Sequence, residues 1–237
     1  MADTYNPSTD RDFGVSVLDH LDDSRLFLLS PARCDGRRAQ MLLNPEATFE
    51  LARRIGSDGP GAPIGEVFSF LSGLYFRGKL TYARAFGNRP SGSGVSTFVI
   101  TTDRGLLPAD TLIRREDLRS FAAVDIASGD ERYVGPLRRD VTRLARELDA
   151  ATDVILLGSI ATGKYADILI DTFGERLRFP VDFVGRGDMS RGGLLLRCAE
   201  EGRQLEYQPV VGAVRHGKRP PKLAPVRSRS RGSSGAP

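Results

Sequence analysis

The chain has 237 residues, 40% of them hydrophobic, with 34 Lys and Arg against 30 Asp and Glu and a formal charge of +4. This length and apolar share suffice for one closed core, and no apolar stretch approaches the roughly 18–20 residues of a membrane span. Two cysteines, Cys34 and Cys198, are too few for a disulfide framework and lack the spacing of zinc ligands.

The opening MADTYNPSTDRDFG is polar and acidic, unlike a signal peptide, so a soluble, cytoplasmic protein is expected, with residues 1–20 as a flexible lead-in. Arg25 to Leu29 (RLFLL) is a short apolar run closed by Ser30-Pro31 and reads as a buried strand. Asn44-Pro45 offers an N-cap and a first-turn proline for a helix running to Gly56. Ile64 to Phe86 carries apolar residues at helical intervals, interrupted by Gly73 and Gly78, and predicts two helical pieces. Asn88 to Gly94 (NRPSGSG) reads as a surface loop.

Ser96 to Thr101 (STFVIT), β-branched and aromatic, predicts the second strand. In the next segment Val134, Leu137, Val141, Leu144, Ala145 and Leu148 form one stripe opposite several arginines, the clearest amphipathic helix of the chain. Asp153 to Leu157 (DVILL) is the third strand, followed by a helix from about Tyr165 to Phe173 that Gly174 caps. A strand within Arg176 to Val184, a short helix near Leu194 to Glu200 and an extended piece from Leu205 to Val211 complete the ordered part. Apolar strands alternating with helices define an α/β class: a single three-layer domain over 21–214 with a mostly parallel sheet.

From Arg215 onward seven basic residues occur with no acid, leaving 27 basic against 30 acidic residues before it, a formal charge of −3. The body is slightly acidic, and the net positive charge belongs to a Pro-, Arg-, Ser- and Gly-rich segment, 215–237, expected to be a disordered basic tail. Such a tail serves as a solubility extension, as a phosphate-backbone contact or as a protein-binding segment.

In parallel α/β sheets ligands bind at the carboxyl ends of the strands. Four segments follow the four strands: Ser30 to Arg37, Thr101 to Leu107, Gly158 to Lys164 and Gly185 to Gly193. Each couples small residues, which admit a ligand to the backbone, with a cation that recognises phosphate or carboxylate. Ser30, Arg33, Arg104, Gly163, Lys164, Arg186, Ser190 and Arg191 are therefore the candidate anion-binding residues, with Tyr75 and Tyr165 as stacking platforms for a base. Gly158 to Lys164 has the spacing of a phosphate-cradling P-loop, but Tyr165 stands where Ser or Thr would ligate magnesium, which favours metal-free binding of one anionic group at a helix N-terminus. No cofactor or metal is indicated.

Catalytic signals are sparse. The two histidines, His20 and His216, lie outside the central segments, so no histidine-based triad has a candidate. Asp103 and Asp188 are the candidate general bases, and Ser30 or Cys34 the candidate nucleophiles if Lys164 or a carboxylate serves them. Cys34, among Arg33, Arg37 and Arg38, is also a candidate reactive thiolate.

Leu29-Ser30-Pro31-Ala32-Arg33, Leu74-Tyr75-Phe76-Arg77-Gly78, the Phe98 to Leu107 segment ending Asp103-Arg104-Gly105-Leu106-Leu107, and Gly163-Lys164-Tyr165 follow one another in an order that resembles the YaaA peroxide-stress family and related uracil-DNA-glycosylase-like domains. The similar stretch covers roughly residues 24–175, with Arg33 where that family has lysine. The resemblance implies a protein directed at nucleic acid or nucleobases, through DNA binding under oxidative stress or base modification. A small-molecule enzyme for a phosphorylated metabolite and a non-catalytic accessory subunit are the alternatives.

Overall fold

A computed structural model describes residues 24–88, 94–127, 129–221 and 223. Strand β1, Arg25–Leu29, is buried along its whole length, as a run with no alternating polar face must be when both faces of its sheet are covered. It lies at the centre, parallel to β3 (Thr97–Ile100) on one side and to β6 (Asp153–Leu157) on the other. Beyond β6 comes β7 (Leu177–Pro180), also parallel. Antiparallel β4 (Leu106–Pro108) and β8 (Tyr207–Pro209) form the edges, giving the order β4-β3-β1-β6-β7-β8. Short β2 (Ala62–Pro63) and β5 (Leu112–Ile113) pair separately. The α/β class with a mostly parallel sheet is thus realised.

Helices α1 (Arg37–Leu43), α2 (Glu50–Arg54), α3 (Ile64–Ser72) and α4 (Leu74–Phe86) connect β1 to β3. Helix α5 (Arg115–Ala122) follows β5, α6 (Glu131–Glu147) leads into β6, α7 (Gly163–Phe173) joins β6 to β7, and α8 (Asp188–Glu200) precedes β8. Helix α4 packs on β1, β3 and α8, whereas α7 packs on β7 and α6, so two helical layers cover the sheet. Phe27 of β1 meets Tyr82 of α4 edge to face at 5.8 Å. The chain leaves β1 toward β3 and leaves β6 toward β7, so the connections from these two neighbouring strands diverge. Their carboxyl ends form the topological switch point of the sheet, where such folds open a crevice.

Several boundaries differ from expectation, each for a local reason. Asn44 closes α1 rather than opening a helix, and its side chain accepts the Glu46 N–H at 3.0 Å, so Asn44-Pro45 makes a turn and α2 starts only at Glu50. Helices α3 and α4 part at Gly73, which has φ +60°, while Gly78 stays inside α4 because α8 packs against its bare Cα. Leu106-Leu107 belong to β4 rather than to a loop, since Gly105 at φ +67° turns the chain back on β3. Helix α8 starts at Asp188, so Asp188, Ser190 and Arg191 sit on its first turn.

The surface-loop expectation for Asn88 to Gly94 falls largely outside the described residues, as do residues 1–20 and most of the basic segment. The described part of that segment lies against the body: Arg215 pairs with Asp167 at 3.0 Å, and Leu223 packs on the core. No helix among the described residues is long and apolar enough to cross a membrane.

Candidate functional site

Three of the four strand-end segments meet. A cleft of about 650 Å³ opens beyond β1 and β3, lined by Pro31 to Asp35 after β1, Thr102 after β3, Phe121 to Ile126 at and beyond the end of α5, and Lys164 after β6. Its size falls within the range of small-molecule sites. The Phe121 to Ile126 wall is mostly apolar and ends at Asp125-Ile126. Lys164 is exposed on the first turn of α7 and has no acidic partner among the described residues. Arg33 also lines the cleft, but its guanidinium holds Asp35 at 2.6 Å. Arg104 stands behind the wall, 5.5 Å from the Phe121 ring centroid, and is paired with Asp117.

The fourth segment does not reach this cleft. Arg186 donates to the Asp182 carbonyl at 2.9 Å and lies near Ser190 at 3.4 Å, and both line a separate depression of about 340 Å³ with Arg197 and Arg219. Arg191 turns inward instead, with two guanidinium nitrogens on the Phe183 carbonyl at 3.0 and 3.2 Å. Asp188 pairs with Arg191 and is otherwise exposed. The expectation of four converging loops is therefore corrected to three, because residues 188–193 are helical and aim their side chains around α8. Asp103 accepts the Ser120 hydroxyl on one carboxylate oxygen, while the other is buried with no hydrogen-bond partner among the described residues.

Neither tyrosine serves as an open platform. Tyr165 is buried and donates to the Ser159 carbonyl at 2.8 Å; Tyr75 is 6% exposed and packs on Phe183. Residues Gly163 and Tyr165 thus frame Lys164, with the tyrosine turned into the core where the amphipathic stripe of α7 requires it.

Cys34 is buried among apolar neighbours, and that burial, reinforced by Asp35 and Asp103, pushes its thiol up to about 12. The reactive-thiolate expectation fails: carboxylates and desolvation outweigh the nearby arginines, whose heads stay in water. Iodoacetamide at pH 8 is expected to leave Cys34 unmodified over hours in the native protein and to alkylate it once unfolded, as read by peptide mass spectrometry.

Sequence reasoning missed Lys79. It occupies the apolar side of α4, three residues after Phe76 and three before Tyr82, and is 1% exposed. Its Nζ lies 2.7 Å from the Ser30 carbonyl and 2.9 Å from Ser30 Oγ, and 4.5–4.6 Å from the Phe76 and Tyr75 ring centroids. Burial lowers the amine to about 7, Arg191 acting in the same sense and Asp188 opposing it. Ser30 is therefore partnered by Lys79, with the Tyr165 hydroxyl also against it, and not by Lys164. The available signal was a lysine within the hydrophobic stripe of an amphipathic helix.

At the switch point β6 contributes Gly158, where a Cβ would stand 2.8 Å from both Ser30 Cβ and the Tyr165 hydroxyl. Among the described residues no group of three His, Cys, Asp or Glu side chains is placed to hold a metal ion. Fold and site together define an α/β protein with a cleft at the carboxyl ends of its parallel strands. No protein-family model, curated protein or solved structure matches the chain.

Proposed function

We propose that the chain binds a phosphate-bearing nucleobase ligand, either a nucleotide or a nucleotide unit within a nucleic acid, in the strand-end cleft. The observation that carries this reading is one mostly apolar wall, Phe121 to Ile126, facing one exposed ammonium, Lys164, that has no acidic partner among the described residues, across a cleft of about 650 Å³. The wall suits a base and the ammonium a phosphate. The YaaA-like segments support the same reading, since Ser30 to Arg33, the turn at Asp103 and Gly163 to Tyr165 build or border the cleft. DNA binding and base modification both remain within it, and Arg33 adds a contact if a phosphate displaces Asp35.

Isothermal titration of the full chain with a 5′-mononucleotide, the matching nucleoside, inorganic phosphate and a short oligonucleotide tests it. Lys164→Ala is expected to weaken the nucleotide about tenfold, the worth of one charge-assisted hydrogen bond of about 1.5 kcal/mol. Equal affinities for inorganic phosphate and nucleotide would remove the base from the reading. Binding unchanged by Lys164→Ala would remove the cleft. The alternative of an enzyme for a small phosphorylated metabolite is favoured by one observation, the buried amine against Ser30.

A further inference from the structure

We propose that Ser30 and Lys79 form a nucleophile and general-base pair that cleaves a carboxylic ester held in the strand-end cleft, the leaving alcohol carrying the phosphate. The inference rests on the proposed cleft ligand only for where that phosphate sits.

Lys79 contacts two oxygens of one residue, the carbonyl and Oγ of Ser30, at 2.7 and 2.9 Å. In the neutral amine an N–H directed at the carbonyl leaves the lone pair free to accept the Oγ proton. No carboxylate forms an ion pair with Lys79 among the described residues. The titratable and charged groups around it are Tyr75 on its own helix, Tyr165 on α7, and Arg191 and Asp188 on α8. An amine so placed is a poor structural choice, because a buried ammonium with no carboxylate partner is costly where an apolar side chain would fill the same space. It is a suitable base, because its neutral form is populated near neutral pH.

Ser30 stands at the edge of the cleft, one residue before its first lining residue, Pro31. Ser30 keeps 6% of its surface exposed, and the residues that follow it, Pro31 and Ala32, line the cleft. The N–H groups of Ala32 and Arg33 take no acceptor among the described residues, and the proposal assigns them to the oxyanion that develops beside Ser30. Proline at position 31 has no N–H, which leaves Ala32 as the first donor after the nucleophile.

In the first step the Oγ–H proton passes to Lys79 Nζ as Oγ bonds to the acyl carbon. The alcohol leaves with the electron pair of its C–O bond and takes the proton from the Lys79 ammonium. Water then gives a proton to Lys79 and adds to the acyl carbon, and Ser30 departs and recovers the proton. The products are the acid and the alcohol, with no redox partner.

The test is labelling of the full chain with an uncharged alkyl fluorophosphonate, whose phosphorus accepts Oγ as fluoride leaves. Peptide mass spectrometry is expected to place a single adduct on Ser30, with a labelling rate rising about tenfold between pH 6 and pH 8 as a base titrating near 7 loses its proton. Ser30→Ala should give no adduct, and Lys79→Met should lose at least tenfold in rate. Absence of a Ser30 adduct, or an adduct formed at a pH-independent rate, overturns the proposal, and the wild-type pH profile decides the matter even if Lys79→Met fails to fold. The probe carries no anionic group, so labelling without nucleotide binding would sink only the cleft reading, whereas nucleotide binding without labelling would sink only this one.

Discussion

The stability of the wild-type protein is expected to rise by about 2 kcal/mol between pH 7 and pH 9, and the rise to vanish in Lys79→Met. The folded state holds this amine at about 7 against an ordinary value of 10.5, chiefly through burial. Between those two values the unfolded chain binds a proton that the folded chain does not. Lowering the pH through that window therefore favours unfolding, and raising it restores stability, the reverse of a lysine that gains a partner. The full linkage is about 1.4 kcal/mol per pH unit, and the smaller figure reflects partial protonation near pH 7. The side chain is 1% exposed, so solvent screening removes little of it.

Above pH 9 the trend turns, because the buried Cys34 thiol and the Tyr75 and Tyr165 hydroxyls all have their ionised forms disfavoured by folding. Urea unfolding of both proteins at half-unit pH steps reads the effect. A wild-type midpoint that does not move between pH 7 and pH 9 would mean that the amine stays charged in the folded state, and the base role assigned to it would go with it.

The second large effect is expected at the contact of α4 and α8. A Cβ on Gly192 would stand 2.6 Å from the Leu74 carbonyl oxygen and 2.8 Å from Tyr75 Cα, and one on Gly78 would stand 2.6 Å from the Gly192 carbonyl oxygen. These obstacles are backbone atoms, so no side-chain rotation relieves them and the helices must separate. Gly192→Ala should destabilise by about 1–3 kcal/mol, the usual range for overpacking, and Gly192→Val by more. The next residue supplies the control: a Cβ on Gly193 meets only a Leu223 methyl, at 3.7 Å. Gly193→Ala should be neutral or stabilise by up to about 1 kcal/mol through helix propensity. Thermal unfolding of the two alanine variants decides, and equal effects would refute the close approach. Since Tyr75, Lys79 and Arg191 lie at this seam, Gly192→Ala should also slow fluorophosphonate labelling of Ser30.

The strands were legible because the signal is local. Arg25 to Leu29, the segment around Thr97 to Ile100, and Asp153 to Leu157 are short runs without alternation, which only a doubly covered sheet can bury. The stripe of α6 was equally plain, its N-terminus being secured by Asp130 accepting the Arg132 N–H at 2.9 Å. Helix α5 escaped notice because its eight residues carry little apolar content, and only Leu118 and Phe121 anchor it among buried hydrophobics. Asn44-Pro45 satisfies the pattern of a helix start and of a turn alike, and the choice between them was made by where α1 ends.

What the residue order determined alone is the class of fold, the strand-end location of the cleft and the cation at its edge, since each depends on periodicity or on which residue follows a strand. Tertiary structure alone decided that Arg186 and Ser190 face a different depression, that Tyr75 and Tyr165 are buried, and that Ser30 meets Lys79, 49 positions later in the chain. The reason is physical: burial and partner choice arise where α4, α7 and α8 converge on the ends of β1 and β6, and no local pattern encodes which side chains those helices bring together.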